Sequence, residues 1–151
     1  MIVYRLSKTK WSKSLDGEGS RLFGGRWNDE GIPCVYTSES RALAVLEYTV
    51  NTNVEDIPRL LSMVAIEIPD SFLDNPVASL PGDWQEAPAS GSTKEYGSRL
   101  LKKKSHGILR FPSAVIPKEF NYLLNPLHAV SESFKIIEVQ DFVYDVRIKM
   151  A

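Results

Sequence analysis

The spacing of short β-branched segments is the feature that most constrains the fold of this chain. Many connections between these segments are too short to hold a crossover helix, so neighbouring strands are expected to run antiparallel. Alternation of apolar and polar residues, bounded by Pro and Gly, predicts the strands themselves. The predicted strands cover residues 2–6, 34–37, 60–68, 107–111, 114–116, 134–139 and 142–148.

One helix is predicted directly after the second strand. A hydroxyl cap and an acid within 37–39 mark its start, and the helical pattern continues to about residue 50. Leu43, Leu46 and Val50 repeat at helical spacing and are expected to form its buried face. Glu47 lies at the edge of that face.

A second helix is predicted over 93–104, because residues 92–95 form a capping-box pattern. The lysine run at 102–104 then falls in the last turn, where it complements the helix dipole, and Gly107 can end the helix. The other predicted segments are a loop over 7–20 with a helical turn at 11–15, an irregular stretch over 75–91 anchored by Leu80 and Trp84, and a short helix or turn over 118–124.

Composition limits the class of protein. The chain has 151 residues and ordinary globular composition, which fits one α+β domain over 1–151. A net charge of −1 argues against a nucleic-acid binder, because such proteins usually carry a broad basic face. One cysteine, Cys34, excludes an internal disulfide, and neither a signal peptide nor an apolar span is recognisable. We therefore expect a cytoplasmic protein without a membrane or nucleic-acid partner.

Several common catalytic motifs are missing from the sequence. It contains no glycine-rich dinucleotide motif, no Walker-type loop and no nucleophile elbow. With two histidines and one cysteine at unsuitable spacing, a metal site is not expected. The residues that remain as candidates for chemistry are Arg5, Arg26, Tyr36, Glu47 and Ser113.

Several short motifs occur in an order that resembles one known family, the RES-domain proteins. The likeness covers nearly the whole chain, and the order and spacing together are specific although each short motif alone is weak. The family is named for an arginine, a glutamate and a serine, which correspond here to Arg26, Glu47 and Ser113. The motifs are Gly24-Gly25-Arg26-Trp27-Asn28, Gly31, Val35-Tyr36-Thr37, residues 44–47, residues 112–117, Asn121 and Leu124-Asn125-Pro126.

This resemblance implies both a fold and an activity. The implied fold is that of ADP-ribosyltransferase toxins, with flanking helices around a split, mostly antiparallel sheet. The implied activity is that of a toxin that consumes NAD as its substrate, without a metal. The implied partner is an antitoxin with an Xre-type helix-turn-helix domain, and the oligomeric state, including a homo-oligomer, stays open.

The candidate residues have side chains that suit cleavage of the bond between nicotinamide and ribose. A carboxylate such as Glu47 can stabilise an oxocarbenium-like sugar and orient a hydroxyl or nucleophile. Arg26, with Arg5 as second choice, can bind the pyrophosphate. Tyr36 can stack on the nicotinamide ring or hydrogen-bond the ribose, and Ser113 can hydrogen-bond the cofactor.

Each candidate also has a structural alternative. Glu47 suits a surface ion pair, and Arg26 can cap carbonyl groups behind the double glycine. Tyr36 can be a core residue, Ser113 can serve its turn, and Arg5 can form an ordinary salt bridge. Two further functions stay open at this point: transfer of ADP-ribose to a host protein, and a binding module that has the fold without turnover.

Overall fold

The computed structural model describes residues 1–70 and 79–149. Its strands are β1 (Ile2–Ser7), β2 (Val35–Ser38), β3 (Leu60–Glu67), β4 (Ile108–Pro112), β5 (Phe120–Leu124) and β6 (Lys135–Val143). They form one sheet in the order β4-β5-β2-β1-β3-β6, and every neighbouring pair is antiparallel. The antiparallel α+β fold expected from the sequence is confirmed.

The sheet is split between its two central strands. Across the described residues, β1 and β2 pair at Tyr4 and Ser38 alone. On their outer edges, by contrast, every residue of β1 pairs with β3 and every residue of β2 pairs with β5. Beyond the Tyr4–Ser38 pair the central strands therefore diverge, and residues from both strands border the gap.

Within the described residues, three α-helices accompany the sheet: α1 (Glu18–Phe23), α2 (Arg41–Val50) and α3 (Gly91–Lys102). The two predicted helices are present, but their caps differ from the expected ones. The Ser40 hydroxyl accepts the amide of Leu43 at 3.1 Å, and the Ser90 hydroxyl accepts the amide of Thr93 at 3.2 Å. In each helix the third amide thereby gains a partner that the helix itself cannot supply.

The buried face of α2 is rotated from the predicted one. Leu43 is buried as expected, but Val50 is 54% exposed and Leu46 is only half-buried. The helix instead buries Ala44, Val45 and Thr49 beside Leu43. Ala44 and Val45 pack against apolar residues of β1 and β3, so the sheet determines which helix face is covered.

The end of α3 also differs from the expectation. The helix ends at Lys102, and Lys104 follows with a left-handed backbone (φ 55°), so Gly107 does not end it. Gly107 lies just before β4, where an added Cβ atom would lie 2.2 Å from Cγ1 of Val130. The glycine therefore permits close packing under β4.

Tertiary pairing overrides the sequence pattern in the last third of the chain. Residues 114–116 form bends rather than a strand, and the helix or turn predicted over 118–124 is instead β5. The two strands predicted over 134–139 and 142–148 are one strand, β6, followed by a 3₁₀ turn over Val146–Ile148. Pairing of β5 with β2 and β4, and of β6 with β3, explains both differences.

Near the amino terminus the predicted loop contains a further helix. The helical turn expected at 11–15 lies earlier, over Thr9–Trp11, and α1 was not predicted because its segment has no apolar period. Gly17, with φ 73°, precedes α1 and permits the turn that starts it.

Apolar side chains cover both faces of the sheet. One apolar cluster contains Trp27 and Phe111, whose rings stack with centroids 3.9 Å apart. Leu80 and Trp84 pack against this cluster, as predicted. Cys34 is buried in this cluster, on the same side as Tyr36. Residues 75–78 of the predicted irregular stretch lie outside the described residues. No helix in the described part of the chain is long and apolar enough to cross a membrane.

Candidate functional site

A cleft of about 460 Å³ occupies the gap between β1 and β2. Its walls come from the split strands, the turn that begins at Gly24, the helix α2 and the ends of β4 and β5. A second depression of about 370 Å³ shares Arg5, Phe23, Tyr36 and Tyr48 with it, so the two form one continuous groove. The combined size is in the range of small-molecule and cofactor sites.

Glu47 projects from α2 into this cleft. Its Oε1 atom accepts a hydrogen bond from the Ser113 hydroxyl at 2.6 Å and another from the Asn121 amide nitrogen at 2.7 Å. Within the described residues, no hydrogen bond reaches Oε2. One carboxylate oxygen is therefore held from the protein side while the other is available to a ligand. Among residues 1–70 and 79–149, Glu47 does not form the surface ion pair considered for it.

Ser113 lies directly behind Glu47 and is fully buried. Its hydroxyl oxygen accepts the amides of Val115 and Ile116, each at 3.0 Å, and thereby closes the bend that follows β4. Because these two bonds occupy the oxygen as an acceptor, its proton is directed to Glu47. Ser113 thus serves its turn and also contacts Glu47, and its hydrogen bond to the cofactor stays a prediction.

Arg26 also borders the cleft, from the turn between α1 and β2. Gly24, with φ 70°, and Gly25 form the tight turn that presents it. The Nη1 atom of Arg26 donates to the carbonyl oxygens of Trp84 at 2.8 Å and Glu86 at 2.7 Å, so the carbonyl-capping alternative is correct for this nitrogen. Arg26 nevertheless borders the cleft, where its remaining donors are candidates for phosphate.

Tyr36 supports the Arg26 turn from below. Its hydroxyl donates to Oδ1 of Asn28 at 2.7 Å and accepts the amide of Trp27 at 2.9 Å. A Cβ atom on Gly25 would lie 2.7 Å from that hydroxyl, which explains the second glycine. Burial raises the pKa of the Tyr36 phenol well above its usual value, so the phenol is neutral at neutral pH. Its hydroxyl is committed to the turn, and its ring borders the cleft.

Arg5 borders both parts of the groove. Its Nη2 atom donates to the carbonyl oxygens of Trp11 and Ser14, each at 3.0 Å, and so holds the loop after β1. Burial lowers the pKa of the Arg5 guanidinium to about 10, partly offset by Asp16, so the group remains a cation at neutral pH. Arg5 therefore holds backbone carbonyls, and in the part of the chain that the structure describes it forms no salt bridge of the ordinary kind that the sequence also allowed.

Three important residues were missed as site residues: Asn28, Ser38 and Asn121. Asn28 is fully buried and donates to the carbonyls of Ser20 and Ile32, each at 2.9 Å. Asn121 belongs to the segment predicted as a helix or turn, so its position facing α2 was not foreseeable. The only available signal was the presence of Asn28 and Asn121 among the quoted motifs.

The described residues contain no cluster of three or more His, Cys, Asp or Glu side chains able to hold a metal ion. The chemical groups that border the cleft include a carboxylate, two guanidinium groups, several aromatic rings, hydroxyls and amides. Such a set can bind an anionic nucleotide and stabilise positive charge on a sugar.

Comparison with known proteins gives consistent matches. The model of the RES domain family matches residues 2–145. "Toxin Res" of Photorhabdus laumondii is 36% identical over 155 residues, covering 100% of this chain and 99% of that protein. "Prs ADP-ribosylating toxin" of a Sphingobium species is 34% identical over 146 residues, covering 94% and 91%.

The fold also matches a solved structure. A chain of the M. tuberculosis MbcT-MbcA toxin-antitoxin complex superimposes with a TM-score of 0.71, covering 94% of this chain and 84% of that one. The sequence identity of this pair is 18%, so the match bears on the fold alone.

Proposed function

The chain belongs to the RES-domain family, and on that basis we propose that it is the toxin of a toxin–antitoxin pair and consumes NAD. It cleaves the bond between nicotinamide and ribose and passes ADP-ribose to water or phosphate. The observation that carries the proposal is the Glu47 carboxylate, which faces the cleft while Ser113 and Asn121 hold its Oε1 atom.

The proposed reaction assigns a role to each side of the cleft. The C1′–N bond breaks with its electron pair leaving on nicotinamide, and an oxygen of water or phosphate forms the new C1′–O bond and releases a proton. Glu47 stabilises the positive charge that develops on the ribose and orients a hydroxyl or the nucleophile. Arg26 and Arg5 bind the pyrophosphate, and the Tyr36 ring packs against nicotinamide or ribose. Ser113 acts through Glu47.

The proposed partner is an antitoxin with an Xre-type helix-turn-helix domain, and the proposed location is the cytoplasm. An antitoxin partner is supported by the relatives named "Toxin Res", and the helix-turn-helix domain is what the family resemblance implies. We further propose that the antitoxin covers the cleft, since a toxin made in its own host has to be silenced.

A second candidate function is transfer of ADP-ribose to a host protein. It is favoured by the relative named "Prs ADP-ribosylating toxin", which shares 34% of its aligned residues with this chain. The same cleft would serve both reactions, because they differ only in the acceptor.

Incubation of the purified chain with NAD labelled in the adenosine half distinguishes these functions. Reactions with buffer alone, with phosphate and with a cell lysate should give free ADP-ribose, its phosphorylated form or a labelled protein, respectively, according to the acceptor. Release of nicotinamide in at least one reaction supports the proposal. Unchanged NAD in all three, with the antitoxin absent, would contradict it and favour a binding module without turnover.

A further inference from the structure

Asn121 and Ser38 form a hydrogen-bonded chain that ends at Glu47. The Ser38 hydroxyl donates to Oδ1 of Asn121 at 2.6 Å, and Nδ2 of the same amide donates to Oε1 of Glu47 at 2.7 Å. The two residues are register partners on β2 and β5, so their side chains lie on the same face of the sheet.

The chemistry of these groups specifies one orientation of the amide. A carboxylate oxygen can only accept from Asn121, so Nδ2 and not Oδ1 has to face Glu47. The Ser38 hydroxyl then donates to the oxygen at the other end. With the amide reversed, two oxygens would oppose each other across 2.7 Å. Ser38 therefore supports the one amide orientation that Glu47 requires.

The position of these hydrogen bonds within the fold also supports a role in holding Glu47. Ser38 is also the residue of β2 that pairs with Tyr4 of β1, at the point where the sheet begins to split. It is buried, with 3% of its surface exposed. The hydrogen bonds from Ser38 through Asn121 to Glu47 thus connect the closed end of the split to the carboxylate inside the cleft.

We propose that Asn121 and Ser38 are positioning residues for Glu47, holding its Oε1 atom so that Oε2 faces the substrate. Ser113 approaches the same oxygen from the bend that follows β4, so Glu47 is held by one donor from β5 and one from that bend. This inference rests on the proposed NAD-consuming function for its kinetic test, but the geometry can be tested without turnover.

The kinetic test compares Ser38→Ala, Asn121→Ala and the double variant with the parent chain. A displaced carboxylate should lower kcat by about 10- to 100-fold for Asn121→Ala while KM for NAD stays within about threefold. Ser38→Ala should lower kcat less, and the double variant should be no slower than Asn121→Ala, because Ser38 acts through Asn121. A rise in KM without loss of kcat, or independent additive losses, would overturn the proposal.

Ser62→Ala is the matched control. Ser62 is another buried strand serine with a side-chain partner, Thr9 at 3.0 Å, and it does not border the cleft. It should keep the kcat of the parent even if its thermal unfolding temperature falls. Equal kcat losses in Ser62→Ala and Ser38→Ala would reduce the role of Ser38 to general stability.

Asn121→Asp tests the same point if Asn121→Ala does not fold. It keeps the shape of the side chain but places a second carboxylate beside Glu47, which raises the pKa of the coupled pair. The acid limb of the kcat–pH profile should move upward by about one unit or more. An unshifted profile would contradict the contact.

A crystal structure of Asn121→Ala needs no activity. The Glu47 carboxylate should leave its position in the parent, and an unmoved carboxylate would overturn the positioning role. If the parent chain leaves NAD unchanged, the proposed function fails on its own, and this structure still decides whether Asn121 positions Glu47.

Discussion

The two sides of the cleft are held by different kinds of contact. On the α2 side, two side chains, Ser113 and Asn121, converge on one oxygen of Glu47. Elsewhere around the cleft, Arg26 and Arg5 donate to backbone carbonyls of the loops they hold. The carboxylate is thus positioned for chemistry, whereas the arginines combine binding with the support of loops.

This difference predicts whether a variant changes mainly kcat or changes KM and stability together. Changes around Glu47 should reduce kcat more than stability, because the hydrogen bonds there orient a reacting group. Changes around the arginines should raise KM and lower stability together, because the same side chains hold the walls of the cleft.

Among the variants that keep a carboxylate at position 47, Glu47→Asp is expected to lower kcat the most. Shortening the side chain by one methylene withdraws the carboxylate from Ser113 and Asn121 while keeping its charge. Displacement on the order of 1 Å should lower kcat about 100-fold. Steady-state release of nicotinamide measures it, and full activity would show that charge alone suffices.

Ser113→Ala should follow, with a loss of kcat of about 10- to 100-fold because Glu47 loses a donor. It should also cost about 1–3 kcal/mol of stability, because the amides of Val115 and Ile116 lose their acceptor. Kinetics and chemical denaturation measure the two effects.

Ser98→Ala, at a serine of α3 that does not border the cleft, is the matched control for Ser113→Ala. Ser98 is also buried, accepts the amide of Asp29 at 2.8 Å and donates to its carboxylate at 3.3 Å. The variant should lose stability with kcat unchanged. Similar kcat losses for both serines would reduce the role of Ser113 to general stability.

Arg26→Ala should raise KM for NAD about tenfold with a smaller change in kcat, because a phosphate contact present in both ground and transition states is lost. Its unfolding temperature should also fall, because the carbonyls of Trp84 and Glu86 lose their donor. Arg99→Ala, at an exposed arginine of α3, is the control and should change neither KM for NAD nor the unfolding temperature. An unchanged KM for Arg26→Ala would argue against the phosphate role.

Tyr36→Phe should destabilise the chain by about 1–3 kcal/mol, because Asn28 and the Trp27 amide lose a buried partner. Its kcat should stay within about threefold of the parent, because the ring remains in the cleft. A far larger fall in kcat with normal stability would show that the hydroxyl contacts the reacting sugar.

The smallest effect is expected outside the cleft, at the exposed Asp145–Arg147 pair. The hydrogen bonds from Arg147 lower the pKa of the Asp145 carboxyl to about 2. A carboxylate whose pKa is lowered by folding stabilises the fold at pH values above the pKa that it has in the unfolded chain. This contribution is lost as the pH falls from about 4 towards 2. Asp145→Asn should therefore reduce the unfolding temperature slightly at pH 7 and not at pH 2. A difference that persists at pH 2 would exclude this linkage.

Strands with a local sequence signal could be predicted from the sequence better than strands that depend on pairing with distant segments. The first three strands lie within one or two residues of their predicted limits, because their alternation and turn residues are local signals. β5 was mistaken for a helix or turn because its structure depends on pairing with β2 and β4. The single strand β6 was divided in two for the same reason.

The candidate site shows the same limit. The motifs indicated Glu47, Arg26, Tyr36 and Ser113, but no sequence pattern showed that Ser113 contacts Glu47 or that Tyr36 supports the Arg26 turn. These contacts join residues 66 and 8 positions apart, respectively, through the fold. Asn121 could not be assigned while its strand was misidentified.

Release of nicotinamide by the parent chain and by Glu47→Gln, measured side by side, tests the central claim most directly. Glutamine keeps the acceptor for Ser113 and Asn121 but removes the negative charge, so turnover should fall by about 1,000-fold with normal folding. Glu39→Gln is the matched control, since Glu39 is half-buried, accepts the amide of Phe120 at 3.3 Å and does not border the cleft. We expect an active parent, an active Glu39→Gln and an inactive Glu47→Gln. Equal turnover by all three would contradict the central claim.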